Sequence, residues 1–246
     1  MSENNKKNAV LAIVSALPEE LDFLEEYLQD RDGWKKTKEN TYVNAKQRLE
    51  IVSKVFGVGK VSAAYGTADL INETDPDLII NVGYAGGLIK EAVKGDVAIG
   101  TDYVQVDFVP FFNNNIPQTD PSPVVLVDAL EKEASKLNIN GYKGRIATGD
   151  FFLHSTDQKN KILEEYSPIA FDMESAAVAQ VATAKKVPFI ALRTFSDLAD
   201  DTAAEQALAN KHDRETGQRI PIEHRPIKLA VNTAERYVDL IKRTLS

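Results

Sequence analysis

Cysteine is absent from all 246 residues, which removes disulfides, thiolate metal ligands and a cysteine nucleophile from consideration together. Histidine is scarce, and His154, His212 and His224 show no spacing typical of metal ligands. No stretch reaches the roughly 18 apolar residues that span a bilayer, so no membrane partner is expected. Positive charge is in the minority, 29 Lys and Arg against 37 Asp and Glu, for a net charge of −8. Nucleic acid is therefore not an expected partner, and a small ligand with little negative charge fits better. Lys6-Lys7 ahead of the apolar run Ala9 to Leu17 has the outline of a secretory leader. The run is short and β-branched, and it flows into Pro18-Glu19-Glu20 and an amphipathic helix, so the cytoplasm is the expected location.

What is present is enough apolar content, 43%, for a sizeable core. Ala9–Ser15 reads as a buried strand, and Pro18 opens a helix striped by Leu21, Leu24 and Leu28. Strand-like runs follow at Thr41–Ala45 and Leu49–Phe56, then a helix to about Asn72, a strand at Asp77–Val82 and another at Asp96–Val106. The proline- and asparagine-rich Phe108–Pro123 reads as a loop. Beyond it, helices at Val124–Leu137, Asp157–Tyr166 and Glu174–Lys185 alternate with strands at Lys143–Thr148, Ile169–Asp172 and Phe189–Phe195, and a last helix spans about Ile227 to Leu245. This alternation predicts one α/β domain over residues 9–246 with a largely parallel or mixed sheet, preceded by a frayed tail at 1–8.

Ligands of open α/β sheets bind beyond the carboxyl ends of the strands. Strand one ends beside Glu19 and Glu20, and later strands end at Asp150-Phe151-Phe152, Asp172-Met173-Glu174 and Ser196-Asp197, with Arg193 just upstream. Glycine turns at 57–59 and 83–87 let backbone approach a ligand closely. Each feature also has a plainer reading. Gly57-Val58-Gly59-Lys60 lacks phosphate-loop spacing, an acid after Pro18 suits a helix dipole, Asp150 suits a cap, and Phe151-Phe152 suits a core. The charged stretch Leu198–Pro226 reads equally as a solvated helix and loop or as a lid. Arg193 demands more, because an unpaired charge inside an apolar strand is expensive; it needs an acid or a ligand.

Taken in order, seven blocks carry a resemblance. They are Ser15-Ala16-Leu17-Pro18-Glu19-Glu20-Leu21, Gly57-Val58-Gly59-Lys60-Val61, Asn81-Val82-Gly83-Tyr84-Ala85-Gly86-Gly87-Leu88, Lys94-Gly95-Asp96-Val97, Thr148-Gly149-Asp150, Phe171-Asp172-Met173-Glu174-Ser175-Ala176-Ala177 and Arg193-Thr194-Phe195-Ser196-Asp197. Over roughly residues 9 to 200 the chain resembles the nucleoside phosphorylase/hydrolase superfamily, and within it the 5′-methylthioadenosine/S-adenosylhomocysteine nucleosidases. The resemblance implies a three-layer domain with a central mixed sheet, a homodimer, and cleavage of an N-glycosidic bond with no metal or organic cofactor.

The same resemblance implies roles for individual residues. Asp197 matches the acid that protonates the departing adenine, Glu20 the base that steers and deprotonates water, and Glu174 the residue that grips the ribose hydroxyls. Arg193 would help hold the water, Met173 would pack beside the ribose, and Ser196 would line the site next to Asp197. Phe152 would stack on adenine, with the backbone of Phe152 and Leu153 reading its edge. Leu17, Val58 and Phe111 match the lining of the 5′-alkylthio pocket, the family drawing the last of these from the partner subunit. Two residues depart from the pattern: Tyr84 stands where a small serine is usual near the water, and Asn113 where an aromatic would close the 5′ pocket. Adenosine or a futalosine-type nucleoside as substrate, phosphorolysis instead of hydrolysis, and a non-catalytic nucleoside-binding protein are the competing readings.

Overall fold

The computed structural model describes residues 8–108, 117–215 and 224–243, the side chains of 213–215 and 242–243 excepted. The tail at 1–7, Phe111 and Asn113 lie outside the described residues. Strand β1 (Ala9–Ser15) is buried along its whole length. Its odd residues Ala9, Leu11 and Ile13 and its even residues Val10, Ala12 and Val14 belong to two different cores, as a central strand of a three-layer fold requires. A single 3₁₀ turn at Pro18–Glu20 precedes helix α1 (Asp22–Gln29), which buries Leu24 and Leu28. Proline at the first position of the turn supplies the required φ and gives up no hydrogen bond. Truncating either buried leucine to alanine removes enough apolar contact to cost about 2–5 kcal/mol.

Strands β2 (Trp34–Lys38), β3 (Thr41–Asn44) and β4 (Leu49–Val55) form an antiparallel flap on one edge of the sheet. Strand β2 has no counterpart in the sequence pattern. Only its Trp34 is buried, so no two-residue hydrophobic period marks it, and its lysines suit an exposed edge. Helix α2 (Lys60–Thr74) follows, then β5 (Leu78–Gly87), β6 (Val97–Gln105), α3 (Val124–Lys136), β7 (Gly141–Thr148), α4 (Thr156–Tyr166), β8 (Ala170–Asp172), α5 (Ser175–Lys185) and β9 (Phe189–Asp197). The expected terminal helix is two, α7 (Arg225–Arg236) and α8 (Val238–Arg243), broken at Tyr237; α6 (Ala203–Glu215) precedes them. Helix α7 is fastened to α1 and β2 through Tyr27–Asn232 and through Glu235, which accepts from Trp34 Nε1 at 2.7 Å and Arg31 Nε at 3.1 Å.

Among the described residues the sheet has nine strands in the order β2-β3-β4-β1-β5-β8-β7-β6-β9, and β5 also pairs with β9. This pairing closes the last five strands into a ring, where the sequence pattern suggests an open sheet. Strands β5 and β9 are parallel, whereas β6–β9 and β5–β8 are antiparallel. The glycine stretch 83–87 is not a turn: it continues β5, pairing Gly83 with Arg193, Ala85 with Phe195 and Gly86 with both Asp197 and Phe171. Strand β1 leaves β5 at Asn81, and β8 takes the same edge only at Gly86. The gap between those two registers is where a ligand can enter.

Candidate active site

A cavity of about 260 Å³ occupies that gap. The end of β1 and the 3₁₀ turn supply Leu17 and Glu20 to its wall, the turn before α2 supplies Val58, and β5 supplies Tyr84. The segments after β7, β8 and β9 add Phe152 and Leu153, Met173 and Glu174, and Ser196 and Asp197. Every predicted site residue among the described ones thus lines one cavity, except Arg193.

Arg193 lies behind the wall, fully buried. Its Nε meets Asp172 Oδ2 at 2.7 Å, its Nη2 lies 3.5 Å from Glu174 Oε2, and both nitrogens donate to Ser175 Oγ. The partner demanded by a charge in an apolar strand is therefore Asp172, and contact of Arg193 with a ligand would have to pass between the carboxyls in front of it. Burial works against the guanidinium charge, but Asp172, Glu174 and Glu20 hold its pKa above the ordinary value. Asp172 organises the region further. It accepts from Thr148 Oγ1 at 2.6 Å and from the backbone N–H of Glu174 and Ser175, anchoring the start of α5.

Glu20 is buried, with both carboxyl oxygens aimed by backbone. Oε2 accepts from the N–H of Ala16 and Leu17 at 3.0 and 2.8 Å, and Oε1 from Tyr84 N–H at 3.0 Å. Burial raises its pKa against the pull of Arg193 and these donors. Glu174 sits at the N-terminus of α5, where its Oε1 accepts from Gly59 N–H at 3.1 Å. Gly59 makes this contact from φ +92°, a left-handed conformation that favours glycine. Burial pushes Glu174 up to about 7, opposed by Arg193 and reinforced by Asp172 and Glu20. Three carboxyls surround one guanidinium here, and the two whose pKa values are raised, Glu20 and Glu174, both line the cavity.

Gly83 makes the assembly possible. A Cβ built there would lie 2.2 Å from Arg193 Nη1 and 2.5 Å from Glu20 Oε1. Gly83→Ala is expected to displace both side chains, costing about 1–3 kcal/mol of stability and more than about ten-fold in kcat. Melting curves and steady-state rates would check this, and a variant with near-normal kcat would show that neither side chain needs its present place.

Across the cavity, Asp197 Oδ1 accepts from Ala199 N–H and Oδ2 from Ser196 Oγ, both at 2.8 Å. Burial raises its pKa, with Asp200 adding to the shift and Ser196, Ala199 and Lys159 opposing it. Phe152 is 47% exposed at the cavity mouth and stacks against His154, whose ring nitrogen lies 2.9 Å from the Phe152 carbonyl oxygen. Helix α6 forms a further wall with Ala207 and Asn210. The amide of Asn210 donates to Ser196 O and accepts from Lys94, tying α6 to β9. Sequence reasoning misses these two residues, because a charged helix with a weak apolar face carries no local mark of what it covers. Asp172 is legible only as part of a motif. Among the described residues no group of three or more His, Cys, Asp or Glu is arranged to hold a metal ion, and no helix is long and apolar enough to cross a membrane.

The phosphorylase superfamily profile matches residues 10–220. A 5′-methylthioadenosine/S-adenosylhomocysteine nucleosidase of Staphylococcus haemolyticus is 34% identical over 202 residues, spanning 79% of this chain and 89% of its own. The enzyme of the same description from Haemophilus ducreyi is 32% identical over 198 residues, spanning 77% and 85%. The crystal structure of the S-adenosylhomocysteine nucleosidase of Streptococcus pyogenes in complex with 5-methylthiotubericidin matches with a TM-score of 0.77 at 26% identity, covering 95% of this chain and 99% of that one. With fold, cavity and sequence in agreement, the chain belongs to the phosphorylase superfamily and, within it, to the 5′-methylthioadenosine/S-adenosylhomocysteine nucleosidases.

Proposed function

We infer that the protein hydrolyses the N-glycosidic bond of 5′-methylthioadenosine and/or S-adenosylhomocysteine, releasing adenine and the thioribose. The observation that carries water as the nucleophile is electrostatic: no Lys, Arg or His among the described residues lines the cavity, whereas Glu20, Glu174 and Asp197 do. A phosphorylase must settle a phosphate dianion beside the anomeric carbon, and a carboxyl-lined wall repels it. In this reading Asp197 gives its proton to the purine ring as the C1′–N9 bond breaks. Glu20 takes a proton from the water whose oxygen bonds to C1′. Glu174 accepts hydrogen bonds from the ribose hydroxyls, a contact that strengthens as positive charge builds on the sugar. Met173 packs beside the ribose, Phe152 covers the base, and Leu17 and Val58 face the 5′ group.

A homodimer suits the mouth of the site. Val58, Val61, Tyr65, Phe108 and Phe152 are exposed. Lys60 draws their segments together: its backbone N–H donates to Asp150 Oδ1 at 2.8 Å and its Nζ pairs with Asp107. A second subunit on this apolar surface would lie against the 5′ side of the cavity.

Incubation with methylthioadenosine in the presence and absence of phosphate tests the reaction. Free methylthioribose in both cases is expected, and a sugar 1-phosphate formed only with phosphate would overturn hydrolysis. The pH dependence follows from the site. Glu174 accepts from hydroxyls as a carboxylate, so kcat/KM is expected to fall as pH drops through about 7. Asp197 works protonated, so kcat/KM is also expected to fall on the alkaline side once Asp197 ionises. A kcat/KM that stays flat from about pH 8 to about pH 6 would remove Glu174 from this role.

A further inference from the structure

Helix α4 packs beneath the turn that follows Asp197, and its contacts have no part in the chemistry described above. Lys159 Nζ donates to the carbonyl oxygens of Leu198 at 2.6 Å and Gly87 at 3.2 Å, so one ammonium bridges the exit of β9 and the end of β5. One turn earlier on the same helix, Thr156 Oγ1 donates to Asp201 Oδ2 at 2.7 Å. The turn held between these contacts contains Ala199 at φ +49°, a left-handed conformation that is costly for alanine. It is this residue's N–H that holds Asp197 Oδ1. Gly86 leaves room for the turn, because a Cβ there would lie 2.7 Å from the Ala199 Cβ. A strained turn persists only where its surroundings hold it.

We propose that Lys159 is a positioning residue for Asp197: it clamps the Leu198–Asp201 turn that aims the acid into the cavity, and it sets the local charge against Asp200. Lys159 acts from α4, and Asp200 acts from the turn itself; the two have opposite signs and opposite effects on the Asp197 proton. Partial burial works against the ammonium charge, and Asp200 and Asp197 favour it. The proposal rests on Asp197 being the acid.

The test is the pH profile of kcat/KM with methylthioadenosine, together with kcat and KM, for the full-length enzyme and its Lys159→Met, Lys159→Arg, Asp200→Asn and Asp197→Asn variants. In Lys159→Met the alkaline limb is expected to move up by about half a pH unit, because a cation near the acid is lost. In Asp200→Asn it is expected to move down. A slackened turn is expected to lower kcat about ten-fold in Lys159→Met with KM changed by less than about two-fold, and Lys159→Arg is expected to restore the limb. Limbs that stay in place in Lys159→Met, or in Lys159→Gln if the methionine variant does not fold, would overturn the proposal. If Asp197→Asn keeps its activity, the assignment of the acid and this inference fall together. If Asp197→Asn is inactive and the limbs do not move, only the inference falls.

Discussion

Asp197→Asn is expected to lower kcat by roughly 10³-fold at neutral pH while the protein keeps its fold, because general-acid assistance contributes about 10²–10⁴ to a rate. Adenine is a poor leaving group until a proton reaches its ring, and an amide cannot supply one. The substitution is close to isosteric with the protonated acid. The asparagine oxygen still accepts from Ala199 N–H, and its NH₂ donates to Ser196 Oγ, so both present contacts have a counterpart. Because burial already disfavours the carboxylate, the neutral variant is expected to be at least as stable as the parent. The sign follows from the raised pKa: Asp197 costs the native state stability as pH rises through its folded value, and asparagine carries no such cost. Single-turnover rates and melting temperatures separate the two outcomes. Near-normal turnover in this variant would take Asp197 out of the mechanism.

Glu20→Gln is the second large effect, expected at about 10²–10⁴-fold in kcat with adenine binding kept. Here the fold is disturbed as well. Glu20 receives three backbone N–H groups and offers only acceptor oxygens to them. Either orientation of a glutamine turns its NH₂ toward at least one of those donors, leaving a buried N–H without a partner at a cost of about 1–3 kcal/mol. The expected signature is a lowered melting temperature together with lost turnover and an adenine affinity within a few-fold of the parent. Loss of adenine binding in parallel with turnover would point instead to collapse of the wall that Glu20 builds with Tyr84. Together the two variants separate the proton delivered to the base from the proton removed from water.

How far the site is legible differs from residue to residue. Glu20, Glu174 and Asp197 stand out because each closes an apolar strand or opens a helix, and because the blocks around them occur in family order. Arg193 needs a partner on sequence grounds alone, yet nothing in Arg193-Thr194-Phe195 says that the partner is Asp172 or that the pair lies behind the cavity wall. That arrangement comes from β7, β8 and β9 meeting within one ring, which packs Thr148, Asp172 and Arg193 together. Glycines 83, 86 and 87 look like a turn because backbone freedom is the usual reason for a glycine cluster. In the fold they are strand residues whose missing side chains make space for Arg193, Ala199 and Ala92. The helical wall of Ala207 and Asn210 is undecidable from sequence, since the charge that makes α6 look solvated is also what its outer face carries.

The sequence alone determined where the buried strands lie, that helices alternate with them, and which acids stand at their ends. Those properties follow from hydrophobic period, proline and glycine placement, and residue chemistry within a window of a few neighbours. The tertiary structure decided that the sheet closes, that β1 and β8 part to leave a cavity, and that three carboxyls share one buried guanidinium. Such outcomes depend on pairings between distant segments, as when Gly59 N–H donates to Glu174 Oε1 across a separation of 115 residues. A local pattern reports which faces are apolar, but which faces meet is settled only by the packing of the whole chain.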